Sequence, residues 1–458
     1  MANKNILTNG SRISQVEQVF FSPVAVVPPN TTSPIASIYC FLSKVDPWGD
    51  ENDPPTPTED TATIKSIYKN MFVAKKINSN DLSPVIQRVD WTTGTTYDYY
   101  RDDVNMAQKD NNGNNFYNYY VKNHYDQVFK CLWNNNDSPS TVEPFFEPGS
   151  YDTNNIYNGT DGYKWKYIYT IDTGSKVKFM DTNWIPVTVG ANTPNPLSTS
   201  AGSGSIDVIN VTDGGSGYDV SNAIITVTIT GDGSGASATA NVTGNTITDI
   251  IVTSPGSNYT FANVTITSAI GSGAEVIAPT SPIGGHGFDP VSDLGCSHIM
   301  FTCQFNGSEN GTIPTDIDFH QVGLLINPTS SQTYPEPANG SIYSTTTDFI
   351  VAPGPGVYLP DEVIYQAPQG QGLAGATFTG KVLSFDTSTN VIKVLNKVGT
   401  PSNNSPVFGQ TSGVSRVILS YNLPNFTLMS GYMSLIENRT GVQRSADGIE
   451  QFKFVLGY

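Results

Sequence analysis

The stretch Asp161–Ile171, DGYKWKYIYTI, restricts the fold of this chain more than any other. Asp-Gly is a turn signal. Beyond it Tyr163, Trp165, Tyr167, Tyr169 and Ile171 fall on one face of a strand, and Lys164, Lys166 and Thr170 fall mostly on the other. Such a strand turns a wall of aromatic rings inward and is expected to show its charge outward. Taken alone, it is an ordinary half-buried strand of an antiparallel sheet.

The rest of the composition agrees with a β-rich chain. Only 14% of the 458 residues are charged, while there are 42 Gly, 30 Pro, 23 Tyr and 21 Phe. Aromatic and β-branched residues favour pleated, half-buried surfaces, and Gly and Pro supply the turns between them. The apolar content is enough for a sizeable core, so disorder is not expected. The net charge of −17 repels phosphate backbones and anionic headgroups, so neither nucleic acid nor membrane is an expected partner. Cysteines stand singly at 40, 131, 296 and 303, without a C-x-x-C pair. A disulfide framework is therefore not read, and a reducing compartment is expected. No secretion signal or membrane-spanning apolar run is read.

Along the chain, residues 1–33 read as an N-terminal arm in which the apolar Val24–Val27 is ended by Pro28-Pro29. Residues 35–42, IASIYCFL, read as a buried strand, and a Pro-rich acidic stretch follows to Asp60. Ile64, Ile67, Tyr68, Met71 and Phe72 form one helical stripe, with Thr58 or Asp60 as cap and Lys75 and Lys76 at the far end. Residues 198–283 are Gly-, Ser- and Thr-rich and carry an internal repeat. DVINVTDGGSGY (207–218) echoes DIIVTSPGSNY (249–259), and GDGSGASATA (231–240) echoes AIGSGAEVIA (269–278). One β unit used twice is expected there. Residues 346–412 read as a second small β unit, with a hairpin VLSFD–TSTN–VIKVL in a barrel or sandwich. The expected class is mainly β, with a few helices and two small β units, 198–283 and 346–412, set between the other parts of the chain (34–197, 284–345 and 413–458).

No catalytic set emerges, and no enzyme, cofactor or metal is expected. The loop 110–115, DNNGNN, has Gln108 where a calcium loop needs Asp and lacks its closing Glu. Cys296, His298 and Cys303 lack a fourth zinc ligand, and on a strand Cys303 faces away from the other two. Asp102-Asp103 diverge on a strand or are solvated in a loop, and neither G-x-S-x-G nor H-E-x-x-H occurs. The glycine runs lack the Lys and following helix of a phosphate-binding loop.

The order of short motifs is more telling. An acidic-Pro-Trp turn ends at Trp48, and Pro54 and Pro55 precede the helix. Then come Arg88-x-Asp90-Trp91, FKCL with Cys131, and Asp161-Gly162-Tyr163-Lys164-Trp165. FHQVGLLINPT with Asn327-Pro328 and SGYMSLIENRTGV with Glu437-Asn438-Arg439 follow. This collinear series, covering a little more than half of the chain, resembles the baseplate wedge subunits of the gene-eight-product family of T-even-type contractile-tailed phages (myoviruses). The resemblance implies a virion protein of the tail baseplate, assembled in the host cytoplasm. It implies a layered β-sandwich that forms a homodimer and contacts other wedge subunits, without catalysis. The segment 46–60 and the Glu437–Arg439 turn are the expected interface or structural elements. The inserts 198–283 and 346–412 depart from the family pattern and are open to glycan or fibre contact. The competing expectation is a carbohydrate-binding tail adhesin.

Overall fold

The computed structural model describes residues 37–111, 113–148, 155–187, 203–219, 221, 224–330 and 338–457; the expected arm 1–33 lies outside them. The described residues are mainly β, with 46% strand and 7% helix. The described residues form two compact units. One comprises Ser83–Met300 with residues 454–457, the other residues 37–82 with Phe301–Lys453. The segment 34–197, expected as one piece of core, thus contributes to both.

In the first unit the aromatic strand Lys164–Thr170 lies inside a four-stranded antiparallel sheet, between Gln127–Trp133 and Ile156–Asn158, with Tyr120–Lys122 at the far edge. Its register places Trp165 opposite Cys131 and Tyr167 opposite Phe129. The rings pack as expected, with Tyr97, Val121, Phe129, Cys131, Tyr163, Trp165 and Tyr167 in one cluster. The expectation that the lysines face solvent is wrong. Lys164 is 9% exposed and Lys166 2%. The second face of this sheet is also covered, and Lys164 Nζ donates to Asp249 Oδ1 (2.8 Å) and Ile209 O (3.4 Å) of the Gly-rich insert. A buried ammonium is tolerable when paired in this way.

The repeat in that insert folds as an interleaved pair. Asn210–Ser216 pairs with Ser272–Ile277, Thr226–Gly231 with Ala262–Thr267, and Ser234–Thr243 with Thr246–Ser257. The first strand of each copy thus pairs with the last of the other, and the middle strands pair together. The corresponding residues Ile209 and Ile250 face each other in an antiparallel bridge. Tyr218 and Tyr259, the last residues of the echoing segments, are both buried. Their hydroxyls accept the Ala274 and Ala236 amides at 3.3 and 3.4 Å. Gly271 and Gly233 lie under these rings, where an added Cβ would sit 2.4 Å from each.

In the second unit a five-stranded antiparallel sheet runs in the order Ile342–Ser344, Met71–Ile77, Ile38–Ser43, Asp318–Ile326, Tyr432–Gln443. Ile38 pairs with both Ile77 and Ile326, which fixes the register of the central strand. Tyr39, Cys40, Phe41 and Leu42 are fully buried there. The helix spans Thr61–Asn70, and Asp60 caps it by accepting the Ala62 and Thr63 amides at 2.9 Å. Met71 and Phe72, expected on its stripe, instead open the strand Met71–Ile77, as do Lys75 and Lys76. The cause is burial on two faces: Met71, Phe72, Val73 and Ala74 are all inaccessible. A strand inside a covered sheet buries consecutive side chains, whereas a surface helix buries only about every third or fourth.

The second insert is a closed six-stranded barrel, in the order Thr347–Val351, Val391–Gly399, Phe378–Asp386, Val363–Gln366, Pro406–Gly409, Ser415–Asn422. The hairpin joins Phe378–Asp386 to Val391–Gly399, with Asp386 opposite Val391. Asp386 Oδ1 accepts the Ser388 amide (2.8 Å) inside the turn. The barrel closes through Ser415–Asn422, beyond the expected limit at 412.

Candidate interaction surfaces

The motif residues gather in two places, one in each unit. In the first, Asp161 organises a turn through four acceptor contacts. Its Oδ2 accepts Thr141 N (2.8 Å), Val142 N (2.9 Å) and Ser140 Oγ (3.2 Å), and its Oδ1 accepts Tyr163 N (3.2 Å). Gly162 has φ +84°, and a Cβ there would meet the Asn135 side chain at 2.6 Å. Only glycine adopts this conformation readily. Tyr163 stacks on Trp165 with centroids 5.4 Å apart. Trp91 Nε1 donates to Ser140 Oγ (3.0 Å), tying it to the same turn. Asp90 receives Arg88 Nε (2.8 Å) and lies 3.2 Å from Lys122 Nζ. Cys131 is buried, which pushes its thiol well above the ordinary range. Cys131, Tyr163 and Trp165 have no accessible surface, so they support the sheet and cannot touch a partner.

The second place is accessible. The strand Tyr432–Gln443 is the sheet edge: among the described residues only Asp318–Ile326 pairs with it. The acidic Pro-rich segment folds along part of that edge as a strap. Trp48 Nε1 donates to Arg439 O (2.7 Å), Asn438 Nδ2 to Pro55 O (2.7 Å) and Thr440 Oγ1 to Glu51 O (2.7 Å). Glu51 accepts the amides of Gly441 (2.8 Å) and Trp48 (2.7 Å). These bonds, led by that from Gly441, hold its carboxyl below the usual carboxylate range. The buried His320 approaches the same carboxylate at 3.2 Å. Glu437 and Arg439 form a half-exposed ion pair at 3.2 Å, worth little in itself. At the start of the edge, Gly431 is pressed against Ile326 O and Pro328 N, while Asn327 Oδ1 accepts Ser37 N (2.9 Å). Trp48, Pro54, Pro55, Asn327, Pro328, Glu437, Asn438 and Arg439, distant in sequence, thus border one edge.

Beyond the strap, residues 431–436 flank a groove of about 630 Å³ against the helix Thr61–Asn70. Pro57, Ile64, Tyr68, Met433, Leu435 and Ile436 line it. Tyr432 is 57% exposed at its mouth. Glu59, Lys65 and Ser434 line the groove too, and a groove of mixed lining beside a strand edge suits an extended segment, with main-chain bonds supplying affinity and pockets supplying selectivity.

Sequence reasoning missed a buried polar cluster in the first unit. Lys130, the basic residue of FKCL, contacts Asp293 Oδ1, and its Nζ lies 3.0 Å from His286 Nδ1 and 3.7 Å from the Tyr100 ring centroid. All three polar residues are inaccessible or nearly so. Burial lowers the affinity of Lys130 for its proton, and burial next to Lys130 does the same for His286. The Lys130 ammonium counteracts the burial of Asp293 and holds its carboxyl well below the usual range. Only the basic character of the motif hinted at this, since both partners come from 286–293.

The remaining candidates are separate. Cys296 Sγ bonds Val85 O and His298 O at 3.2 and 3.4 Å, and Cys303 belongs to the other unit. In the loop expected at 110–115, of which residue 112 lies outside the described residues, Asp110 Oδ1 accepts Asn114 N (2.8 Å). Among the described residues no group of three or more His, Cys, Asp or Glu is placed to hold a metal. No protein-family model matches the chain, and no curated protein matches it.

Proposed function

We propose that this chain is a structural subunit of the baseplate wedge of a contractile phage tail, a homodimer that also binds other wedge subunits and catalyses no reaction. One observation carries the reading. Motif blocks at 46–60, 327–328 and 430–442, which carry the resemblance, converge on a single sheet edge, partly strapped by 46–60 and elsewhere flanked by a groove. Wedge assembly requires stiffness and contact surface, and an edge of this kind offers both. Immunogold electron microscopy of contractile-tailed particles from the source tests it. Label as a compact ring at the tail end is the expected outcome; label along fibres, or none on particles, overturns it.

A second reading, a carbohydrate-binding tail adhesin, is favoured by an open cleft of about 690 Å³ in the first unit. Phe261, 53% exposed, lines it beside the Arg101–Asp103 pair and Asn263. Sugars stack on exposed rings and bond to planar polar pairs. Saturable binding on a glycan array, lost on Phe261→Ala, would favour this reading.

A further inference from the structure

We propose that Lys130 and Asp293 become joined by an intramolecular isopeptide bond that forms once the first unit has folded. Lys130 lies in the strand Gln127–Trp133, and Asp293 closes the short helix Pro290–Asp293, 163 residues away. The amine and the carboxyl are in direct contact, and both are shielded from water. The Tyr100 ring lies over Nζ at 3.7 Å and the Tyr119 ring at 5.9 Å. Gly287 N donates to Asp293 Oδ2 (2.8 Å), which fixes the carboxyl plane. His286 Nδ1 is 3.0 Å from Nζ. Three groups are thus assembled: a nucleophile, an acyl carbon and a proton carrier.

The step balances without a co-reactant. The resting pair is ammonium and carboxylate; moving the proton from Nζ to the carboxyl gives the reactive amine and acid. The Nζ lone pair attacks Cγ, forming the C–N bond. His286 takes the second Nζ proton and delivers it to the departing hydroxyl, so the C–O bond breaks and one water leaves. Burial of Lys130 favours its neutral amine, and the buried Lys166, opposite it in the register, acts in the same direction. The neutral pair is a minor form, but the reaction is needed once per molecule. Fixed contact replaces a bimolecular encounter, with effective molarities on the order of 10⁵ M or more for well-oriented groups. The product removes two buried charges, whose desolvation is costly even when they are paired. The bond would close a loop holding the aromatic strand and the whole Gly-rich insert, and it rests on no part of the wedge or adhesin reading.

The test is mass spectrometry on the full-length protein. Its intact mass is expected to be one water below that of the sequence, and the tryptic map to carry a branched peptide joining Lys130 to Asp293, uncleaved after Lys130. The branched peptide decides, because Asp-Gly sites such as Asp161-Gly162 also lose water. Lys130→Arg is expected at full mass, and Asp293→Asn to form the same amide with loss of ammonia instead. His286→Gln is expected to lower the linked fraction in freshly folded protein. Ordinary cleavage after an unmodified Lys130 in the folded wild-type protein overturns the proposal, whether or not any variant folds.

Discussion

At the scale of single residues, the two insert tyrosines give the sharpest expectation. Gly233 and Gly271 leave room for the Tyr259 and Tyr218 rings, and a methyl group at either would lie 2.4 Å from ring carbon. Gly233→Ala and Gly271→Ala should each destabilise the insert by about 1–3 kcal/mol through overpacking. Gly244→Ala, with open space around it but φ +61°, is the control for backbone strain alone. Thermal melts of the three variants separate the two causes. Asp161→Ala should cost more than a typical surface change, roughly 1–3 kcal/mol, because three backbone amides and a hydroxyl lose their acceptor together. The buried histidines set an acid limit. Burial pushes His298 down to about 4 and lowers His286 in the same direction. An unfolded histidine titrates at about 6.5, so below that pH the unfolded chain takes up protons that the folded chain refuses. Stability should therefore fall as pH drops from about 6.5 towards 4, and fall further below it as the unfolded chain protonates carboxyls such as Asp293 that the folded chain keeps ionised. Melting temperature measured across that range should show this limb, and His298→Gln should flatten it. The rings of 163–171 were legible in the sequence because period-2 alternation survives any tertiary context. The burial of Lys164 and Lys166 was not, because their covering partners, such as Asp249, lie far along the chain.

At the scale of elements, caps are local and were readable. Asp60 was one of two candidates, and it accepts two amides of the first helical turn. Asp60→Ala should lower the melting temperature, because both amides lose their acceptor. The end of that helix was not readable, because the apolar stripe continues through Met71 and Phe72 without a break. The switch to strand at Met71 follows from the flanking strands Ile38–Ser43 and Ile342–Ser344, which no local pattern encodes. The strap shows the same limit more strongly. Both of its halves stood out as motifs, but the Trp48–Arg439 bond spans 391 residues. Glu51→Ala removes the acceptor for Gly441 N. Amide hydrogen exchange at Gly441 should speed up markedly, while the centre of the strand Ile38–Ser43 stays protected. Equal acceleration at both would mean that the strap supports the sheet as a whole rather than covering its edge.

At the scale of the whole molecule, the two inserts differ from the rest in how they close. Each begins and ends at one place. Asp348 pairs with Asn422 across the first and last barrel strands. In the Gly-rich insert, Ser281 N donates to Ser205 O (2.9 Å) and Ser205 N to Ser281 Oγ (2.8 Å). Adjacent ends mean that excision leaves the flanking chain nearly in place, as with tolerated domain insertions. The interiors of the two inserts are not equal. The barrel encloses a cluster including Phe349, Tyr358, Ile364, Phe378, Ile392 and Ile418, all inaccessible, and closure leaves no open sheet edge. The core cluster of the other insert has six buried residues, and most of the apolar side chains packed around it are only partly covered. It also loses the Lys164–Asp249 bond on excision. The barrel loses the Lys381–Asp46 and Lys44–Asp361 pairs, whose carboxylates are 87% and 46% exposed, so their loss should matter little, together with the packing of the helix Thr61–Asn70 on Val391–Gly399. A fragment of residues 346–423 should therefore fold alone and melt cooperatively. A fragment of residues 203–283 should melt at lower temperature and less sharply. The comparison is made by circular dichroism and amide proton dispersion on both fragments. If the barrel fragment gave no cooperative transition, its ten-residue core would depend on the neighbouring sheet of its own unit, and autonomy could not be inferred from closure alone.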